Sequence, residues 1–248
     1  MRALVVVLLC AGAARAQDPF EIQVYDTSTA PPLTPGLEVH LNSFLHGSKQ
    51  TSPAGELPTN HVVHATLEPH LGLTDWLEVG AYLQTALRPD GTYDYAGTKV
   101  RMKARLLEPA FGWLGLALNG ELSWIPAAYE AERRGGELRP ILEARRGPLG
   151  FWLNPIISFA LTGGFHPELE PAAKAAWSVT EALSLGVEYY AGLGPIDALR
   201  PLGEQVHRGF GVIDLATRWL DLNFGVGGGS GPDSFIVKAI VGVHPPEG

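Results

Sequence analysis

The sequence predicts an all-β fold: a transmembrane, antiparallel, up-and-down β-barrel of about 12 strands, following a cleaved signal peptide. Three observations predict it. Lys99, Arg101, Lys103 and Arg105 alternate with Val100, Met102, Ala104 and Leu106, so a strand there carries four cations on one face and apolar groups on the other. Segments of this kind recur along most of the chain, joined alternately by short turns and longer polar loops. Five of the six tryptophans (Trp76, Trp113, Trp152, Trp177, Trp219) sit at or beside the short turns. There they are expected as an aromatic girdle, because an indole suits the headgroup layer.

The start of the chain reads as an export signal. Met1-Arg2 leads into the apolar run Leu4–Cys10, and Ala14-Arg15-Ala16 supplies small residues for cleavage before Gln17. Leu9 stands where a lipoprotein site at Cys10 would need a small residue. Residues 1–16 contain the only cysteine, so stability must come from packing or the bilayer rather than from disulfides. The net charge of −8 argues against nucleic acid as a partner. High glycine and proline beside 46% apolar residues fit short strands joined by turns better than disorder. Residues 17–34 are expected as a periplasmic N-terminal segment whose place relative to the lumen stays open, and 35–248 as the barrel.

The strands follow in order. Leu37–Asn42 alternates apolar and polar residues, a polar loop spans 46–60, and the second strand runs from about 61 to 72. Leu77, Val79, Ala81 and Leu83 define the third strand, and the basic run the fourth. Leu114, Leu116, Leu118 and Leu122 mark the fifth, while Arg139, Glu143 and Arg145 share a face of the sixth. Phe151, Leu153 and Ile157 lie in the seventh, and 168–177 is the eighth. Leu183, Leu185 and Val187 mark the ninth. The tenth, 207–216, is expected to bulge at Gly209 and Gly211. Leu220–Val226 and Phe235–Val243 complete the count. Tyr93, Tyr95, Trp124 and Tyr129 are expected at the outer membrane interface.

With the charged face inward, the expected lumen-lining, selectivity-setting residues are Lys99, Arg101, Lys103, Arg105, Glu78, Glu121, Glu188 and Asp221. Folding adjacent strands together places Glu78 near Arg105 and Glu121 near Lys99, leaving Arg101 and Lys103 beside small or uncharged neighbours. A basic wall would then face an acidic wall of Glu170, Glu188 and Asp221. Open channel and filled barrel are evenly balanced, with inward Gly80, Gly186, Gly192, Gly225 and Gly227 favouring space. His40, His64, His70, Glu38 and Glu68 share one inner face without a tight ligand spacing, so no metal and no cofactor is expected. No enzyme is expected either. A lipid hydrolase needs a nucleophile beside a histidine where lipid reaches it, and Ser43 has no outward histidine nearby.

Glu21-Ile22-Gln23-Val24-Tyr25-Asp26, Pro35-Gly36 and Leu37–Asn42 resemble the start of Gram-negative outer-membrane barrels related to the phenol-degradation meta-pathway proteins. Gly72–Gly80 resembles that group's first short turn. Asp221–Gly227 and Val237–Gly242 resemble its last hairpin. The resemblance implies an outer-membrane transporter of small, hydrophobic or aromatic molecules, with membrane lipids and the outer-membrane assembly machinery as partners. Val243–Gly248 departs from the terminal aromatic residue usual in such barrels.

Overall fold

The computed structural model describes residues 18–110 and 113–243. Residues 1–16, expected as the signal peptide, and the tail 244–248 lie outside them. Twelve antiparallel strands close a barrel: β1 (Pro35–His46), β2 (Val63–Thr74), β3 (Leu77–Leu87), β4 (Tyr93–Ala110), β5 (Leu114–Trp124), β6 (Arg134–Arg146), β7 (Leu149–Asn154, resuming as Ile157–Ala160), β8 (Glu168–Leu169, then Ala172–Ser178), β9 (Leu183–Gly192, resuming as Gly194–Pro195), β10 (Val206–Ala216), β11 (Leu220–Gly229) and β12 (Phe235–Val243). Each strand pairs with its sequence neighbour, and β1 closes on β12 with Leu41 opposite Ala239. Pro155 and Pro171 stand in the breaks of β7 and β8, where a residue without an N–H cannot continue a ladder.

Burial is inside-out for a water-soluble protein. Met102 is 56% and Val187 61% exposed, whereas Arg139 and Lys238 are fully buried. Aliphatic side chains therefore face outward along every wall and ionisable ones inward, the arrangement a bilayer-spanning barrel requires. Trp76, Trp113, Trp177 and Trp219 are exposed at the short-turn end, with Tyr93, Tyr95 and Trp124 exposed at the long-loop end.

Two of the expected interface aromatics lie elsewhere. Trp152 alternates with the outward Phe151 and Leu153 and so points into the lumen, where the cations of Arg145 and Lys174 lie 5.3 and 5.7 Å from its ring. Proximity to the turn suggested an interfacial ring, but strand parity decides. Tyr129 is buried against Phe20 and donates to Asp94 Oδ2 at 2.6 Å. Burial and the Asp94 carboxylate push its phenol up to about 12. A raised phenol pKa adds stability that is complete below its unfolded value near 10 and is lost as pH rises toward about 12. Loop 125–133 should therefore loosen over that interval, and Tyr129→Phe should abolish the dependence when loop proteolysis is followed against pH.

The bulge expected at Gly209 and Gly211 is absent, because β10 holds an unbroken register with both neighbours. Both glycines face outward instead. The β3–β4 ladder shifts between Gln84 and Thr85, opposite Gly97, whose φ of 150° a side-chain-bearing residue rarely adopts.

Candidate functional site

The lumen is occupied by the chain's own N-terminal segment. Residues 18–30 form no strand, and their backbone groups are satisfied by inward side chains of the wall, as buried polar groups require. Asn42 Nδ2 donates to Pro19 O, Thr66 Oγ1 to Phe20 O and Lys238 Nζ to Ile22 O, at 3.0, 3.0 and 2.9 Å. Asn154 brackets Tyr25, accepting from its N–H at 2.7 Å and donating to its carbonyl at 3.1 Å. Glu143 accepts from Thr27 N–H at 3.0 Å and Glu78 from Ala30 N–H at 2.6 Å.

Inward apolar residues collect round the segment. Ile22 packs with Phe44, Ile156, Tyr190, Phe210 and Ile236. Phe20 packs with Val62, Ile125 and Tyr129. The segment expected as periplasmic is thus a plug inside the barrel.

Its acids neutralise the basic strand. Lys99 Nζ lies 2.6 Å from Asp18, 3.1 Å from Glu21 and 3.6 Å from Glu121. Arg139 reaches Glu21 at 3.0 Å and Glu137 at 2.7 Å, with its guanidinium 4.2 Å from the Tyr25 ring centre. Arg101 is held by Glu68 and Glu78, both at 2.6 Å, and Lys103 reaches Asp26 at 3.4 Å. Tyr25 hydroxyl contacts both Glu21 and the Tyr82 hydroxyl. Across the lumen, Glu188 binds Lys238, accepts from Tyr190 at 2.6 Å and lies 3.5 Å from Lys174.

These contacts correct the expected lumen map. The register is displaced by one inward pair: Glu78 faces Lys103, Gly80 faces Arg101 and Glu121 faces Arg101, although Glu121 does lie near Lys99 as expected. Arg101 and Lys103 therefore have carboxylate partners, and no unbalanced basic wall confronts an acidic one. Glycine makes room for side chains rather than for an open pore: a Cβ on Gly80 would meet Arg101, and one on Gly225 would meet Lys238. Arg105 is drawn to the β2–β3 turn, where its guanidinium donates to Asp75 O. Asp221 is exposed and borders the short-turn mouth.

Cavities lie on either side of the plug. One of about 410 Å³ at the long-loop end is bordered by Asp18, Lys99, Glu121 and Glu137. Two of about 380 and 290 Å³ at the short-turn end both reach Gln23, Val24 and Asp26. Residues between Asp18 and Gln23 separate the two mouths.

Solved structures alike in shape include a COG4313 outer membrane channel from Pseudomonas putida F1 (TM-score 0.60, 11% identity, 90% of this chain and 99% of that one). The NanC porin follows with a TM-score of 0.54, 9% identity, and 84% of this chain against 98% of that one. The fold is that of an outer-membrane barrel. LpxR from Salmonella typhimurium matches at 0.46, with 11% identity over 85% of this chain and all of that one. No family model and no curated protein matches the sequence.

The rim where the plug enters the barrel is close-packed. A Cβ on Gly72 would strike the carbonyls of Ala30 and Pro31, and Leu33 N–H donates to Gly72 O at 2.7 Å. Backbone cannot yield as a flexible side chain does, so Gly72→Ala should cost about 1–3 kcal/mol. It should also loosen residues 29–34, seen as faster proteolysis of that segment in the folded barrel.

Proposed function

We propose that this barrel is a gated channel or transporter for small solutes in the Gram-negative outer membrane, reached through the export signal and the barrel-assembly machinery, and closed here by its own N-terminal segment. The observation that carries this reading is the placement of the plug: Asp18 borders the cavity at one mouth and Asp26 those at the other, with a single layer of chain between them. The two neighbours in shape, an outer membrane channel and a porin, agree with it. We assign the protein no catalytic step.

The solute class follows from what the plug covers. Phe44, Tyr190, Phe210 and Ile236 form an apolar lumen wall that an aromatic or hydrophobic solute would touch once Ile22 left it. That is the class the resemblance to the meta-pathway barrels implies. Lys99, Arg101, Lys103 and Arg139 face this path with Glu78, Glu121 and Glu188, and become its selectivity-setting groups.

Deleting residues 18–30 tests the gate in planar bilayers. The parent should rest closed or open rarely, while the truncated barrel should conduct steadily. The deletion removes Asp18, Glu21 and Asp26 and no cation, so the reversal potential should shift toward anion preference. A folded truncated barrel, verified by its heat-shifted electrophoretic mobility, that passed no current would end the channel reading.

A further inference from the structure

Glu38 and Glu68 stand directly opposite each other on the lumen faces of β1 and β2, the cross-strand arrangement that like charges disfavour. His40, the next inward residue of β1, reaches both. Its Nε2 is 2.9 Å from Glu68 Oε2 and 3.5 Å from Glu38 Oε2, and the three ligand atoms all lie within 4.8 Å of one another. A four-coordinate ion with bonds of about 2.0–2.1 Å sets neighbouring ligand atoms about 3.3 Å apart. The two distances from His40 bracket that edge.

The surroundings match. Arg101 Nε donates to Glu68 Oε1, which fixes the carboxylate from behind and leaves Oε2 toward His40, as a ligating carboxylate is held by its outer partners. Gln23 Nε2 donates to Glu38 Oε2 at 3.2 Å. His70 lies opposite Gly36, the inward position before Glu38. Its ring covers Gly36 so closely that a Cβ there would strike it, and its Nδ1 is buried without a hydrogen-bond partner.

Charge points the same way. Glu38 and Glu68 face each other, and the guanidinium of Arg101 beside them is shared between Glu68 and Glu78. The cavity of about 290 Å³ at the short-turn end touches Glu38, Glu68 and His70 and gives an entry path.

We propose that Glu38, His40 and Glu68, flanked by His70, bind one divalent transition-metal ion of the zinc class, the type that mixed imidazole and carboxylate ligands favour. The ion would clamp β1 to β2 beneath the plug. This site is independent of whether the barrel conducts.

The test uses tag-free, exported protein folded in detergent and stripped with chelator. Zinc chloride is titrated by calorimetry, and cobalt(II) is followed by its visible absorption. One equivalent should bind, with cobalt bands typical of low coordination number. His40→Gln and Glu38→Gln should each lower affinity by more than about 10-fold. Glu38 is the most accessible of the three, so Glu38→Gln is the variant that keeps the test decisive if His40→Gln fails to fold. Absence of stoichiometric binding to the folded parent would overturn the proposal and leave protonated His40 as the neutralising group. Undiminished binding to folded Glu38→Gln would place the metal elsewhere and overturn it equally.

Discussion

Replacing Arg139 by alanine should destabilise the barrel by about 3–5 kcal/mol, the cost of removing one partner from a buried ion pair. Arg139 is fully buried on β6, between Glu21 of the plug, Glu137 of its own strand and the face of Tyr25. Its loss takes from the buried Glu21 a cation that Lys99 and the Tyr25 hydroxyl do not replace. Lys99 is already shared with Asp18 and Glu121. Part of the loss should be recovered in the Arg139→Ala/Glu21→Gln pair, where the buried carboxylate charge is gone, so a double-mutant cycle should show coupling. Urea unfolding of the barrel in lipid vesicles, read by tryptophan emission, supplies the four stabilities. Simple additivity would mean that plug and wall do not depend on each other. Alanine should also free the segment, so protease sensitivity of residues 18–30 should rise while the barrel band stays intact.

The barrel was legible in the sequence because each strand carries its own period-2 evidence. Leu77-Glu78-Val79 and Lys99–Arg105 need no knowledge of their neighbours to declare which face is which. Partners across the lumen are another matter, since register is fixed by loop geometry. The displacement of one pair arose at the turns themselves, where Leu87 pairs with Tyr93 and Ala110 with Leu114, and the bulges between Gln84 and Thr85 and between Arg105 and Leu107 offset it only in part. That shift moved Glu78 from Arg105 to Lys103 and gave Arg101 the carboxylates of Glu68 and Glu78 as partners.

The sequence left the place of the plug segment open for a different reason. Residues 18–30 have no periodicity of their own and borrow their hydrogen bonds from the wall. The signal that was present is compositional. The basic strand carries four cations, and the nearest unassigned carboxylates, Asp18, Glu21 and Asp26, lie in that segment with Phe20, Ile22 and Tyr25 between them. Inward Phe44, Phe210 and Ile236 point the same way, since apolar side chains on a supposedly wet face require something apolar to cover them.

Val100→Arg should destabilise the membrane-inserted barrel by about 2–4 kcal/mol, the cost of a cation on the lipid face near the bilayer midplane. Val100 lies on β4 between the girdle at Trp76, near Ala104, and Trp124, which faces Thr98, and is 42% exposed. That exposure makes the substitution discriminating. Were the same surface bathed in water, an exposed valine-to-arginine change would alter stability by no more than about 0.5 kcal/mol. A buried valine in a soluble core would resist arginine in any solvent, but Val100 is not buried. The cost should depend on depth, so Tyr93→Arg, at the long-loop rim, should fall to about 0–1 kcal/mol. It should also depend on the amphiphile, shrinking when vesicles are exchanged for small micelles whose surface deforms to hydrate the guanidinium. Equal, small effects at Val100 and Tyr93 in vesicles would show that water meets the aliphatic face, and the outward-facing apolar belt would then require another partner to cover it.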